Sequence, residues 1–170
     1  MRSLVGQVPG RSAVPASKEN GPPAGASPSV KEIPYDHVVR FSLTGVRGNR
    51  LQDVLNISVD GAFVAVTVGY SFIPPLASTS PGNDRAIDFK YSIVDSGAGR
   101  ELQNRPIHNI AGLGEPNGAR PFRPLAKPML FMPRSTIRFE IEEISEGDLY
   151  NGAELFIVLH GYKMLGYGAE

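Results

Sequence analysis

Three histidines, His37, His108 and His160, are the most versatile chemical side chains here, and there is no cysteine. A β-barrel metal site of the cupin kind needs a close His-x-His pair, a carboxylate and a further histidine. In this chain one histidine stands at the start of an alternating segment, one in a long irregular stretch and one in the last apolar segment. That scatter assigns them ordinary structural roles. A serine nucleophile would need a Gly-x-Ser-x-Gly elbow, which does not occur. No Gly-x-x-x-x-Gly-Lys loop is present, and Gly112-Leu113-Gly114 lies in irregular chain rather than after a strand. Without cysteine there is no disulfide and no thiolate metal site. Glu142, Glu143, Glu146 and Asp148 cluster but lack the Asp/Asn ladder of a calcium loop. Arg120-Pro121-Phe122-Arg123-Pro124 joins two arginines to an aromatic, as in single-strand nucleic-acid contacts. Prolines stiffening an edge, with the arginines paired to carboxylates, explain that segment equally well. The sequence therefore designates no catalytic, cofactor-binding or metal residue, and no cofactor.

Composition narrows the classes further. A chain of 170 residues with 41% hydrophobic content supports one domain and a tail. Seventeen basic and 17 acidic residues cancel, which argues against a nucleic-acid partner held by bulk charge. No apolar run approaches the roughly 20 residues that span a bilayer, so no membrane partner is expected. The first six residues, Met1-Arg2-Ser3-Leu4-Val5-Gly6, lack a signal-peptide core. Assembly in the cytoplasm is the expectation. Nineteen glycines and 15 prolines imply many turns and few helices.

The elements that would carry any site are strands. Ile137, Phe139 and Ile141 alternate with Arg138, Glu140 and Glu142, the period of a strand with one buried face. After Asn151-Gly152, Leu155, Ile157 and Leu159 share one face and Phe156, Val158 and Tyr162 the other. A strand apolar on both faces predicts a central strand covered on both sides. Further alternation marks strands over residues 37–44, 51–59, 62–72 and 85–94, with a short one at 128–132. In the third of these, Val64, Val66, Val68, Tyr70 and Phe72 are expected on one face. Asp60-Gly61 between two apolar runs predicts a hairpin. Residues 101–127 hold Pro106, Pro116, Pro121 and Pro124, and no helix is expected there. Within that stretch, Ile107, Ile110 and Leu113 suggest a loop that packs, either capping the domain or facing a subunit or ligand.

About seven or eight strands with intervening turns predict an all-β fold, an antiparallel β-sandwich or jelly-roll-like barrel. Residues 1–30 are Pro/Gly/Ser/Ala-rich and cannot bury enough surface to fold alone. They read as an extended arm, a passive tail or one that orders on a neighbour, followed by a sandwich domain at 31–170.

This plan, with Gly99-Arg100-Glu101-Leu102-Gln103 and Arg120-Pro121-Phe122-Arg123-Pro124 ahead of Pro133-Arg134-Ser135-Thr136, resembles structural proteins of tailed-bacteriophage virions. The nearest types are capsid-decorating, minor capsid and head-to-tail joining proteins. The resemblance implies a homo-oligomer in the virion, binding copies of itself and a major capsid or tail/neck protein, without catalysis. The alternative is a carbohydrate- or receptor-binding β-sandwich module, with Tyr35, Tyr70 and Tyr150 as the aromatics. A metal-dependent β-barrel enzyme would have to work through His108 or His160.

Overall fold

The structure, a computed structural model, describes residues 30–75, 87–116 and 118–167. The arm expected over residues 1–30 therefore lies, except for Val30, outside the described residues, as do the loop at 76–86 and the end of the chain.

Six long strands overlap the alternating segments: β1 (Lys31–Ser42), β2 (Arg50–Asn56), β3 (Gly61–Ile73), β4 (Phe89–Asp95), β8 (Thr136–Glu143) and β9 (Glu154–Leu165); the seventh, β7 (Phe122–Phe131), corrects the short strand expected at 128–132, because it begins inside the Pro-rich stretch expected to be irregular. Two-residue strands β5 (Arg100–Glu101) and β6 (Ile107–His108) precede a turn of helix, α1 (Asn109–Gly112). That turn is a small departure from the expectation of no helix between Pro106 and Pro116. One sheet has the order β1-β9-β3-β7 and the other β2-β8-β4-β5, with β6 also paired to β4. All pairings are antiparallel.

Strand pairing decides the topology. β1 pairs with β9, β2 with β8, β3 with β7 and β4 with β5, so the chain is one long antiparallel ribbon rolled into two sheets. This is the jelly-roll arrangement of interlocked Greek keys, not the immunoglobulin order. It also corrects the hairpin expected at Asp60-Gly61. β2 pairs β8 and β3 pairs β9 and β7, so the turn passes the chain from one sheet to the other. The dipeptide reverses the chain but does not decide its hydrogen-bonding partner.

The inner faces meet in a single core. Phe63, Phe89, Phe131 and Phe139 are almost fully buried there, each adding about 1.5–3 kcal/mol by leaving water. The rings of Tyr70 and Phe89 meet edge to face at 5.3 Å. The loop over residues 103–114 closes one part of this core. Asn109 is fully buried. Its Nδ2 donates to the Tyr70 hydroxyl (3.0 Å) and to the Ile87 carbonyl (2.8 Å), and its Oδ1 accepts from the Phe89 amide (3.2 Å). Leu113 enters the core and Ile107 packs against it, whereas Ile110 stays exposed.

A β-bulge at Val66 switches the faces of β3. Ala65 pairs with Gly161 and Thr67 with His160, leaving Val66 without an opposite residue in β9. Phe63 and Ala65 before the bulge, and Val68 and Tyr70 after it, all enter the core. The expected single face of Val64 through Phe72 is therefore wrong for Val64 and Val66. At the bulge the strands come very close: a Cβ on Gly161 would run into the Val64 carbonyl oxygen. By contrast, a Cβ on Gly69 would meet the exposed Phe122 ring at 3.2 Å and the Pro121 carbonyl oxygen at 3.3 Å, contacts that need only small shifts.

Gly161→Val should lower unfolding free energy by about 3 kcal/mol, at the upper end for overpacking. Gly69→Ala should cost well under half of that. Urea denaturation of the two variants compares them, and equal losses would contradict the bulge as the tight point.

Candidate functional site

The chemically versatile residues are not brought together. His37 faces the core margin from β1, His108 lies on β6 3.5 Å from Asp88, and His160 lies on the outer face of β9 with its Nδ1 3.0 Å from Asp36. Among the described residues no group of three or more His, Asp or Glu side chains could hold a metal ion. His37 is wedged between the edges of the Phe63 ring (4.5 Å) and the Tyr35 ring (4.8 Å), and its Nε2 is buried without a partner. Burial, reinforced by the nearby Lys163 ammonium, lowers its pKa to about 4.

The acidic cluster divides between two structural tasks. Glu143 is buried and accepts hydrogen bonds from the Thr44 and Gly45 amides, the Thr44 hydroxyl (2.9 Å) and Asn49 Nδ2 (2.8 Å). It clamps the 44–49 turn to the end of β8. Glu142 bridges Lys90 and Arg50, each at 3.1 Å, and the Lys90 hydrogen bond heads the causes that lower its pKa. The candidate sugar-stacking tyrosines are also engaged: Tyr70 is in the core, Tyr150 packs on Phe72 at 6.0 Å, and the Tyr35 ring lies 3.9 Å from Lys163 Nζ.

What the strands do assemble is a contrast between two outer faces. On the β2-β8-β4 face, Arg50, Glu142 and Lys90 form one row and Gln52, Glu140 and Ser92 the next. Arg138 Nε lies 3.1 Å from Glu140 beside them. That face is polar and wet. The outer face of the β1-β9-β3-β7 sheet differs. One row across all four strands is Pro34, Tyr162, Val64 and Leu130, and another is Val38, Val158, Gly69 and Phe122. Val38 (53% exposed), Phe122 (54%) and Leu130 (43%) stand open there. Between those rows lie Asp36, His160, Thr67 and Pro124, with the His160 ring edge-on to Phe122 at 5.1 Å. At its end this face also carries the Arg40–Glu154 ion pair.

The sequence expected β9 to be covered on both sides. The second sheet covers its inner face, and among the described residues nothing covers the outer one. The apolar character of Phe156, Val158 and Tyr162 was legible in the alternation. The contributions of Val38, Leu130 and Phe122 were not, because they depend on which strands lie beside β9.

No known protein family matches the sequence. No curated protein matches it. Among solved structures, a protein from Sulfurospirillum deleyianum is similar with a TM-score of 0.39 at 9% identity, over 76% of this chain and 98% of that one. The VP2 subviral particle of infectious bursal disease virus is similar with a TM-score of 0.33 at 14% identity, over 86% of this chain and 42% of that one. This chain thus spans under half of the viral protein's length.

Two outcomes follow from the buried groups. The unfolded chain protonates His37 as pH falls through about 6.5, while the folded chain resists until about 4. The unfolded state then binds more protons, so stability is lost as pH falls through that window. Denaturation midpoints at pH 7 and pH 5 should differ less in His37→Phe than in the wild type. Glu143→Ala leaves several donors of the 44–49 turn unpaired and should cost about 3 kcal/mol at neutral pH. Calcium added to the wild type should leave its midpoint unchanged, because the Glu143 carboxylate is already committed.

Proposed function

We propose that the protein is a non-catalytic structural component of a virion, assembled in the host cytoplasm. It binds copies of itself and a major capsid or tail/neck protein and stabilises the particle. Jelly rolls serve in viral capsids, lectins and cupins alike, so the fold class does not choose among them. The observation that carries the reading is the apolar outer face of the β1-β9-β3-β7 sheet. Isolated surface apolar residues are ordinary, but two rows that each run across four strands, separated only by the Asp36–His160 row, favour an interaction surface. Burial of that face against a neighbouring subunit supplies a hydrophobic driving force without charge complementarity, consistent with a neutral chain. The lectin-like alternative loses support from the engaged tyrosines, and the enzyme alternative from the dispersed histidines.

Light scattering on the full-length chain, a chain starting at Lys31 and the double variant Val38→Asp/Phe122→Asp tests the reading. The wild type is expected as a defined oligomer, or as a monomer that co-sediments with shell or tail proteins. The double variant should lose that association while keeping its denaturation midpoint. Association unchanged in the double variant, or no association with either class of partner, would overturn it. The truncated chain reports separately whether residues 1–30 contribute.

A further inference from the structure

A second site lies on the opposite side of the same sheet, where the sandwich opens between β7 and β5. At Val66, β3 carries one residue between its pairs with β7, while β7 carries four, residues 125–128. Beside this extra chain, and lined in part by Leu125, Ala126 and Lys127, is a groove of about 460 Å³. This is within the size range of small-molecule sites. Its wall is apolar, with Val68, Ile93, Met129 and Phe131 contributing. Its depth is closed by the Tyr91 hydroxyl, which Gln103 hydrogen-bonds and against which Gly112 fits without room for a Cβ.

The mouth is cationic. Arg100, Arg123 and Lys127 line it, against the single carboxylate of Glu101. None of the three cations forms an ion pair with a described residue. Arg123 pairs with Val68, a core-facing residue, so its side chain leaves β7 toward the groove rather than the outer face. Its guanidinium is near enough to the Tyr91 hydroxyl to act on it electrostatically. Arg100, Arg123 and Lys127 are exposed at this mouth, and an anionic group seated there would gain charge-assisted hydrogen bonds from cations that no described carboxylate already holds. Residues 1–29 fit poorly as that anion, because they carry Arg2, Arg11 and Lys18 against only Glu19.

We infer that this groove binds a single-chain amphiphile with an anionic head, its tail between the sheets and its head on Arg123. The inference is independent of the proposed assembly role and rests on different residues. Calorimetric titration of the full-length protein with decanoate, octanoate and decanol tests it. Decanoate should bind, and each methylene removed should weaken binding about fourfold. Arg123→Gln, a change at an exposed position, should weaken decanoate at least tenfold and leave decanol unchanged. Absence of decanoate binding, equal loss for decanoate and decanol, or no effect of Arg123→Gln would overturn the assignment. Binding seen only in a chain starting at Lys31 would also overturn it, by showing that the protein's own N-terminal residues hold the groove.

Discussion

The structure depends on β9 being hydrogen-bonded along both edges. All twelve of its residues pair with β1 on one side and, across the bulge, with β3 on the other. A strand satisfied on both edges presents no unpaired backbone, and it fixes the first and third long strands relative to each other. Because β9 is the last strand, the sheet is complete only when the C-terminal segment inserts between two early ones. Pairings so distant in sequence close large loops before they gain contacts, which makes this an intrinsically slow fold. The other sheet repeats the logic at smaller scale, with β8 seated between β2 and β4.

Much of the fold was legible because alternation is local. Ile137, Phe139 and Ile141 were read as one inward face and are buried together. What alternation does not contain is the identity of the neighbouring strand. The Asp60-Gly61 turn shows the limit: its reversal is real, yet its two flanks belong to different sheets. The second limit is the bulge. A single unpaired residue, Val66, inverts the facing of everything after it, and no residue type near it announces this. The candidate groove was illegible for the same reason. Arg123 reads as an outward residue of a Pro-rich segment until its register with Val68 is known.

The chemically suggestive residues turn out to hold ends together. Asn109 ties the 103–114 loop to both sheets through Tyr70 and Phe89, and Glu143 ties an inter-sheet connection to β8. Each is a buried polar group surrounded by hydrogen bonds that an apolar substitute would leave unmade. Such groups add specificity where hydrophobic burial is indifferent to which loop closes which end. That explains why a cluster of acids and a distinctive loop can look functional in sequence while serving the fold.

Edge chemistry constrains which surfaces of this jelly roll can accept a further strand. The two edges of the apolar sheet are β1 and β7, and both carry proline: Pro34 in the first, Pro124 and Pro128 in the second. Proline donates no ladder hydrogen bond, and natural sheets place it on edges to stop further pairing. Strand-to-strand extension is therefore obstructed on both sides of this sheet. Its outer face has no such obstacle, and there Val38, Phe122 and Leu130 stand exposed in rows with half-buried Tyr162 and Val158. Under the proposed assembly role, such edges leave packing through the face, rather than sheet continuation, as the route to association.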